Sequence, residues 1–220
     1  MKKIYVHIGA GKCGSSSIQQ FLSEKTIITQ NQSESTKTLK YYVIEKNQIL
    51  SGKKLRNLAK KSPYSYKATI PIKFITEKIT ILFKKIIDNL KDDEIPVISS
   101  EGWSNEILEN KIKFEEFFKK LNINIELFMV IRPPISWINS AWWQWGVWSN
   151  NSLEKWTNHV IQSDNVNWFA QVEAWRKIKG VTRFQLVDLN PDILSDFKNF
   201  LGISDNWNGL NNTSSSPVLL

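Results

Sequence analysis

Three runs of this 220-residue chain gather side chains that can hold a multiply charged anion and move a proton. The first is HIGAGKCGSSS, His7 to Ser17. Its Gly9, Gly11 and Gly14 let the backbone approach an oxyanion closely. Lys12 supplies a point charge, and Ser15, Ser16 and Ser17 supply hydroxyl donors where a helix would begin. The free N–H groups of a helix start bind anions. The second run, Ser99 to Trp103, places the carboxylate of Glu101 behind an apolar stretch, where it can serve as a base. The third, Arg132 to Ser140, offers a guanidinium fork suited to a terminal phosphate, with the Ser140 hydroxyl eight residues on.

Other titratable residues have weaker claims. His7 is a second candidate base, although it lies inside an apolar stretch where a histidine is more often a core residue. Lys12 can lower the pKa of the adjacent Cys13 thiol. No partner base accompanies it, so Cys13 reads as a passive part of the loop, and His159 reads as structural. The first run is not a Walker A loop. That motif needs glycine six residues before the lysine and Ser or Thr directly after it. Val6 and Cys13 stand there instead, so an ordinary nucleoside triphosphatase with its magnesium site is disfavoured.

Each run sits where a strand should end. Met1 to Ile8, the segment around Pro96 to Ser100, and Asn124 to Arg132 read as buried strands. Thr182 to Leu189 reads as a further one, and KYYVIEK (residues 40–46) as a short strand. The helices expected from apolar spacing are 15–23, 72–90, 114–121, 134–148, 152–162, 165–178 and 191–201. Pro134 suits a helix start. Within 134–148, α-helical spacing puts Ile138, Trp142 and Trp145 on one face and Trp137 and Trp148 on another. The polar stretch 24–40 reads as loop, and 51–71 as loop with a helical turn. Strands alternating with helices imply an α/β fold with a central, mostly parallel sheet flanked by helices. Such sheets bind ligands at the carboxyl ends of their strands.

Composition narrows the class. With 41% hydrophobic and 23% charged residues the chain is neither disordered nor fibrous. Its length suits a single domain, 1–220. One cysteine and two histidines leave no disulfide framework and no metal site. No apolar run approaches the ~20 residues of a membrane span, and the N-terminal run is too short for a signal peptide, so the expected location is the cytoplasm. The net charge of +8 asks for an acidic partner such as an anionic polymer, a membrane surface, nucleic acid or a phosphorylated cofactor.

Lysine, any residue, glycine, then two hydroxyl residues resembles the 5′-phosphosulfate loop of sulfotransferases that use 3′-phosphoadenosine 5′-phosphosulfate (PAPS). Their pattern is typically Pro-Lys-x-Gly-Thr-Thr, and bacterial members often show His-Ile-Gly, as here. The departures are Gly11 for proline and serines for threonines. Arg132, the prolines after it and Ser140 resemble the family's 3′-phosphate motif. FQLVDLNPDILSDFKNFLGI resembles its late strand–helix segment. The resemblance spans roughly 1–22 and 96–203.

It implies a P-loop-NTPase-like three-layer fold. It also implies PAPS bound by Gly11, Lys12, Cys13, Gly14, Ser15, Ser16, Ser17, Arg132 and Ser140. Lys12 would act on the leaving group and Glu101 as base, with His7 as the rival, and no metal would be needed. Carbohydrate members use glutamate as the base. The implied acceptor is a hydroxyl or amine on a small molecule or carbohydrate, such as a glycan or glycolipid, and the product is adenosine 3′,5′-bisphosphate. The variable segment 23–71 would lie on the acceptor side. The tail NNTSSSP lacks the basic late loop that cytosolic members place over the 3′-phosphate. The competing readings are a phosphotransferase on a related scaffold, an inactive nucleotide-binding homologue, and a nucleic-acid binder. The last has no recognised motif behind it, so no nucleic acid is expected.

Overall fold

The computed structural model describes residues 2–31, 36–149, 152–163 and 165–204. The apolar run at the N-terminus forms strand β1, Lys3–Gly9, buried over six of its seven residues. The chain then turns through the glycine-rich loop into helix α1, Ser15–Glu24. Strands β2 (Ile27–Asn31), β3 (Thr36–Glu45) and β4 (Gln48–Ser51) follow, then α2 (Gly52–Lys60). A 3₁₀ turn, Ile72–Phe74, leads to α3 (Glu77–Asp88). Next come β5 (Glu94–Ser100), α4 (Trp103–Leu121) and β6 (Asn124–Ile131). Helix α5 (Pro134–Ala141) runs into a π-helical turn, Trp142–Gly146. Helices α6 (Leu153–Gln162) and α7 (Trp168–Arg176), strand β7 (Val181–Asp188) and α8 (Ile193–Leu201) complete the described fold.

The strands form one sheet in the order β2-β3-β5-β1-β6-β7, with β4 also paired to β3. The pairs β1–β5, β1–β6, β3–β5 and β6–β7 are parallel, and β2 and β4 are antiparallel to β3. This is the mostly parallel α/β arrangement that the alternating pattern implied. Residues of β1 alternate between two cores. Tyr5 joins Phe21, Phe128, Phe197 and Phe200 on the α1–α8 side. Ile4, Val6 and Ile8 join Phe83, Trp103, Phe114 and Trp175 on the α3–α4 side. Each fully buried aromatic here fixes a helix against the sheet, and truncating one to alanine costs about 3–5 kcal/mol. No described helix is long and apolar enough to cross a membrane.

Several segments differ from the sequence expectation. The expected helix 72–90 opens as the separate 3₁₀ turn Ile72–Phe74 and is α-helical only over Glu77–Asp88. Residues 24–40 hold β2 and the first half of β3 rather than a loop. Their period of two is concealed by polarity: Ile28 and Gln30 are buried while Ile27 and Thr29 are exposed. Residues 51–71 hold the regular helix α2, whose buried side is only Leu55 and Ala59 among cationic neighbours. Helix α4 begins at Trp103, eleven residues before the expected 114, because Trp103 and Ile107, one turn apart, are both fully buried. The tail NNTSSSP, on which the late basic loop was judged, lies outside the described residues.

Candidate active site

Strand β1 lies between β5 and β6, so three strand ends meet side by side. Ile8 pairs with Ser100 and Gly9 with Val130. The residues that follow are the glycine-rich loop, Glu101 and Arg132, and adjacency of the strands brings all three sequence runs to one edge.

The loop after β1 has a fixed shape. Lys12 and Gly14 are left-handed, at φ 69° and 77°. At Gly14 a Cβ would also sit 2.7 Å from Leu189 Cδ1, so glycine is required there on both counts. Cys13 N–H donates to the Ala10 carbonyl at 3.2 Å and Ser17 N–H to the Gly14 carbonyl at 3.2 Å. Among the described residues no hydrogen bond takes up the N–H groups of Lys12, Gly14, Ser15 or Ser16. These groups, with a helix start behind them, are the arrangement that receives an anion. Cys13 is wholly buried, and burial pushes its thiol up to about 12, so it stays protonated and packs the loop.

Glu101 is placed by the end of β5 and by the segment before α3. Ser99 O accepts from Thr69 N–H at 2.8 Å, Ser100 Oγ donates to Thr69 O at 2.9 Å, and Trp103 Nε1 donates to Ile70 O at 2.9 Å. A Cβ built on Gly11 would lie 3.9 Å from Glu101 Oε1, which sets the carboxylate against the loop. Burial raises the Glu101 pKa, with Lys12 opposing it. Burial and the Arg132 charge lower that of Lys12, with Glu101 opposing them. The two groups therefore feel each other within one partly dehydrated site.

Arg132 joins the other two runs. Its Nη1 donates to the Lys12 carbonyl at 3.2 Å and its Nε to Ser136 Oγ at 2.8 Å. Two indoles brace the junction: Trp137 Nε1 donates to Gly11 O at 2.7 Å, and Trp168 Nε1 to Arg132 O at 2.8 Å. Ser140 lies two turns into α5, 1% exposed, and its hydroxyl finds no partner among the described residues. The hydroxyl that Arg132 holds is that of Ser136, which the sequence reading did not single out.

His7 lies in the core beneath the loop. It is completely buried between Phe128 and Phe197, with Nδ1 at 2.8 Å from Ser99 Oγ, its register neighbour on β5. Burial lowers its pKa to about 3, so the ring is neutral. Its Nε2 and the buried Ser15 hydroxyl both lack partners among the described residues and flank Gly9, 3.7 Å and 2.8 Å from where a Cβ would be.

The π-helical turn corrects the expected faces of the tryptophan run. Val147 N–H reaches back five residues to Trp142 O. The wider turn rotates Trp145 onto Trp137, with ring centroids 6.1 Å apart, while Trp142 packs on Trp156. Trp145 then lies over the loop, where a Cβ on Gly11 would meet its ring at 2.8 Å. That contact accounts for glycine at the position where the resembling loops carry proline. Sequence reading also missed Tyr66, whose hydroxyl is 3.5 Å from Ser16 Oγ. Indoles and phenols in turn-rich segments give no spacing signal. Only the proximity of Trp137 to the Arg-Pro-Pro run hinted at such a role.

No protein-family model matches the chain, and no curated protein matches it either. Among solved structures it is similar to a sulfotransferase from Alicyclobacillus acidocaldarius. That superposition has TM-score 0.52 and 13% identity, covering 99% of this chain and 87% of that one. It is also similar to the sulfotransferase domain from the curacin biosynthetic pathway, with TM-score 0.45 and 12% identity over 94% of this chain and 76% of that one. The first likeness bears on the fold: a central, mostly parallel sheet flanked by helices, in the P-loop-like arrangement.

Proposed function

We propose that this chain is a sulfotransferase that moves the sulfuryl group of PAPS to a hydroxyl or amine acceptor. The observation that carries this reading is the meeting of Lys12, Glu101 and Arg132 at the adjoining ends of β1, β5 and β6. The left-handed loop with free N–H groups fits a phosphosulfate, and the unpartnered Ser140 hydroxyl fits an added phosphate oxygen. In this reading Gly11 to Ser17 hold the 5′-phosphosulfate, and Arg132 and Ser140 hold the 3′-phosphate. Cys13 takes part through the shape of the loop.

The acceptor's proton passes to Glu101 as the acceptor–sulfur bond forms. The bond from sulfur to the 5′-phosphate oxygen breaks, and adenosine 3′,5′-bisphosphate leaves. Lys12 offsets the charge that develops on the departing phosphate. His7 acts as a positioning residue rather than the base. Its burial and lowered pKa support a neutral ring that ties β1 to Ser99 beneath the loop. The whole chain works as one domain, with residues 23–71 on the acceptor side.

Transfer of labelled sulfuryl from PAPS to a panel of hydroxyl acceptors tests this. Lys12→Ala, Arg132→Ala and Glu101→Gln should each lose roughly a hundredfold or more in kcat/KM. Unchanged activity in the Lys12 and Arg132 variants would sink the site assignment. Transfer from ATP in preference to PAPS would favour a phosphotransferase. Binding of adenosine 3′,5′-bisphosphate without turnover on any acceptor would favour an inactive homologue.

A further inference from the structure

The charge of this protein is concentrated in one stretch. Residues 46–76 contain eight lysines and arginines and no acidic residue, which equals the formal net charge of +8. The remainder of the chain carries the two signs in equal number. Among the described residues, Lys67 is the one member of the eight found in a salt bridge, with Glu45 at 3.0 Å. Lys53, Lys54, Arg56, Lys60 and Lys61 are exposed on α2 and at its end. Elsewhere cations are interspersed with acids and several are paired, as in Lys40–Glu94, Lys84–Asp88 and Lys120–Glu77. Within this stretch the positive charge has no acidic residue to neutralise it from the same segment, and it is densest on α2 and at its end.

The same stretch runs into the candidate active site. Helix α2 places Leu55 in the core that also holds Phe21 and Leu22 of α1, with Leu58 packed against it; α1 is the helix that the glycine-rich loop opens. Beyond α2 the chain carries Tyr66, whose hydroxyl reaches Ser16 and whose pKa is raised by burial and by the Glu101 charge. Thr69 and Ile70 hydrogen-bond the end of β5 and Trp103, and Pro71 lies 3.6 Å from where a Cβ on Gly102 would be. Tyr64 is 72% exposed with its ring 5.9 Å from that of Tyr66. Half-exposed Trp145 lies across the loop beside Glu101. A ligand reaching Glu101 thus passes aromatic faces at the mouth while the cations of 46–76 extend away from it.

We infer that the acceptor is an acidic oligo- or polysaccharide. Its carboxylate or sulfate groups are held by the basic stretch, while a hydroxyl of the same chain is presented to Glu101. This rests on the sulfotransferase reading above. Sugar rings present flat apolar faces that stack on Tyr and Trp, and they are dense in the hydroxyl groups the reaction consumes. Seven of the eight cations are lysine, a point charge that attracts carboxylate, sulfate and phosphate alike. The hydroxyl density of a glycan, together with a sequence that shows no recognised nucleic-acid motif, favours a charged glycan over a nucleic acid.

The test uses the full chain with three probes of matched length: polyuronate oligomers (alginate), neutral dextran oligomers and single-stranded poly(U). Sulfuryl transfer and equilibrium binding are both measured, the latter without donor. The proposal expects a KM for alginate oligomers at least tenfold below that for dextran, rising steeply with salt. The triple variant K53E/K60E/K61E should raise that KM at least tenfold. Its kcat, unfolding midpoint and affinity for adenosine 3′,5′-bisphosphate should stay unchanged. Equal use of dextran and alginate, an unaffected triple variant, or tighter binding of poly(U) than of alginate overturns it. Failure of the bisphosphate to bind at all indicts the sulfotransferase reading instead. Donor-free alginate binding by the wild type and the triple variant then still decides whether this surface recognises acidic glycans.

Discussion

At the residue scale the account turns on two groups whose protonation the fold sets in opposite directions. Burial raises Glu101 above the ordinary carboxylate value, despite the pull of Lys12. A base must be ionised to accept a proton, so kcat/KM should fall on the acid side at a pH above 4.5. Glu101→Gln should abolish both that limb and most of the rate. The linkage runs with it. A carboxyl raised in the folded state makes the native protein lose stability as pH rises from 4.5 through the folded pKa. The stability of Glu101→Gln relative to wild type should therefore increase across that window, and a constant difference in urea unfolding would contradict the placement. His7 behaves in the reverse sense. Its pKa falls from 6.5 unfolded to about 3 folded, so stability is retained above pH 6.5 and lost as pH drops toward 3. The loss amounts to roughly 3–5 kcal/mol over the whole window. Denaturation at pH 4.5 and pH 7 should show a smaller difference in His7→Gln than in wild type.

At the element scale the π-helical turn after α5 is the feature that shapes the site mouth. It depends on Gly146, where a Cβ would run into the Trp142 ring. Gly146→Ala should cost about 1–3 kcal/mol by overpacking. It should also move Trp145 off the glycine-rich loop, which a change in tryptophan fluorescence alongside the melting temperature would report. An unperturbed emission spectrum and an unchanged melting temperature would count against this picture. The turn also marks where sequence reading gave out. Strands β1, β5 and β6 were legible because they are continuous apolar runs ended by glycine, acid or proline. Helices α3 and α8 were legible from their apolar spacing. The extra residue in the turn leaves no mark on composition, so Trp145 was assigned to the wrong face. The edge strand β2 and the first half of β3 were missed because their buried residues alternate with polar ones. Helix α2 was missed because two buried positions make a faint stripe. Within the site, charged and hydroxyl residues in recognisable runs were found. Ser136, Tyr66, Trp137 and Trp168 were not, since each reaches its partner only through tertiary packing.

At the scale of the whole molecule, the parallel sheet brings three distant runs to one edge, and the chain's excess charge is carried by the stretch 46–76 that runs past it. The central claim is that this edge binds a nucleotide carrying both a 5′- and a 3′-phosphate. Thermal unfolding with adenosine 3′,5′-bisphosphate, against ATP and AMP, tests it most directly. A ligand bound only by the folded state adds about 2.7 kcal/mol at a hundredfold excess over its dissociation constant. The account predicts a rise in midpoint specific to the 3′-phosphorylated nucleotide and lost in Arg132→Ala. No shift, or an equal shift with ATP, would contradict it.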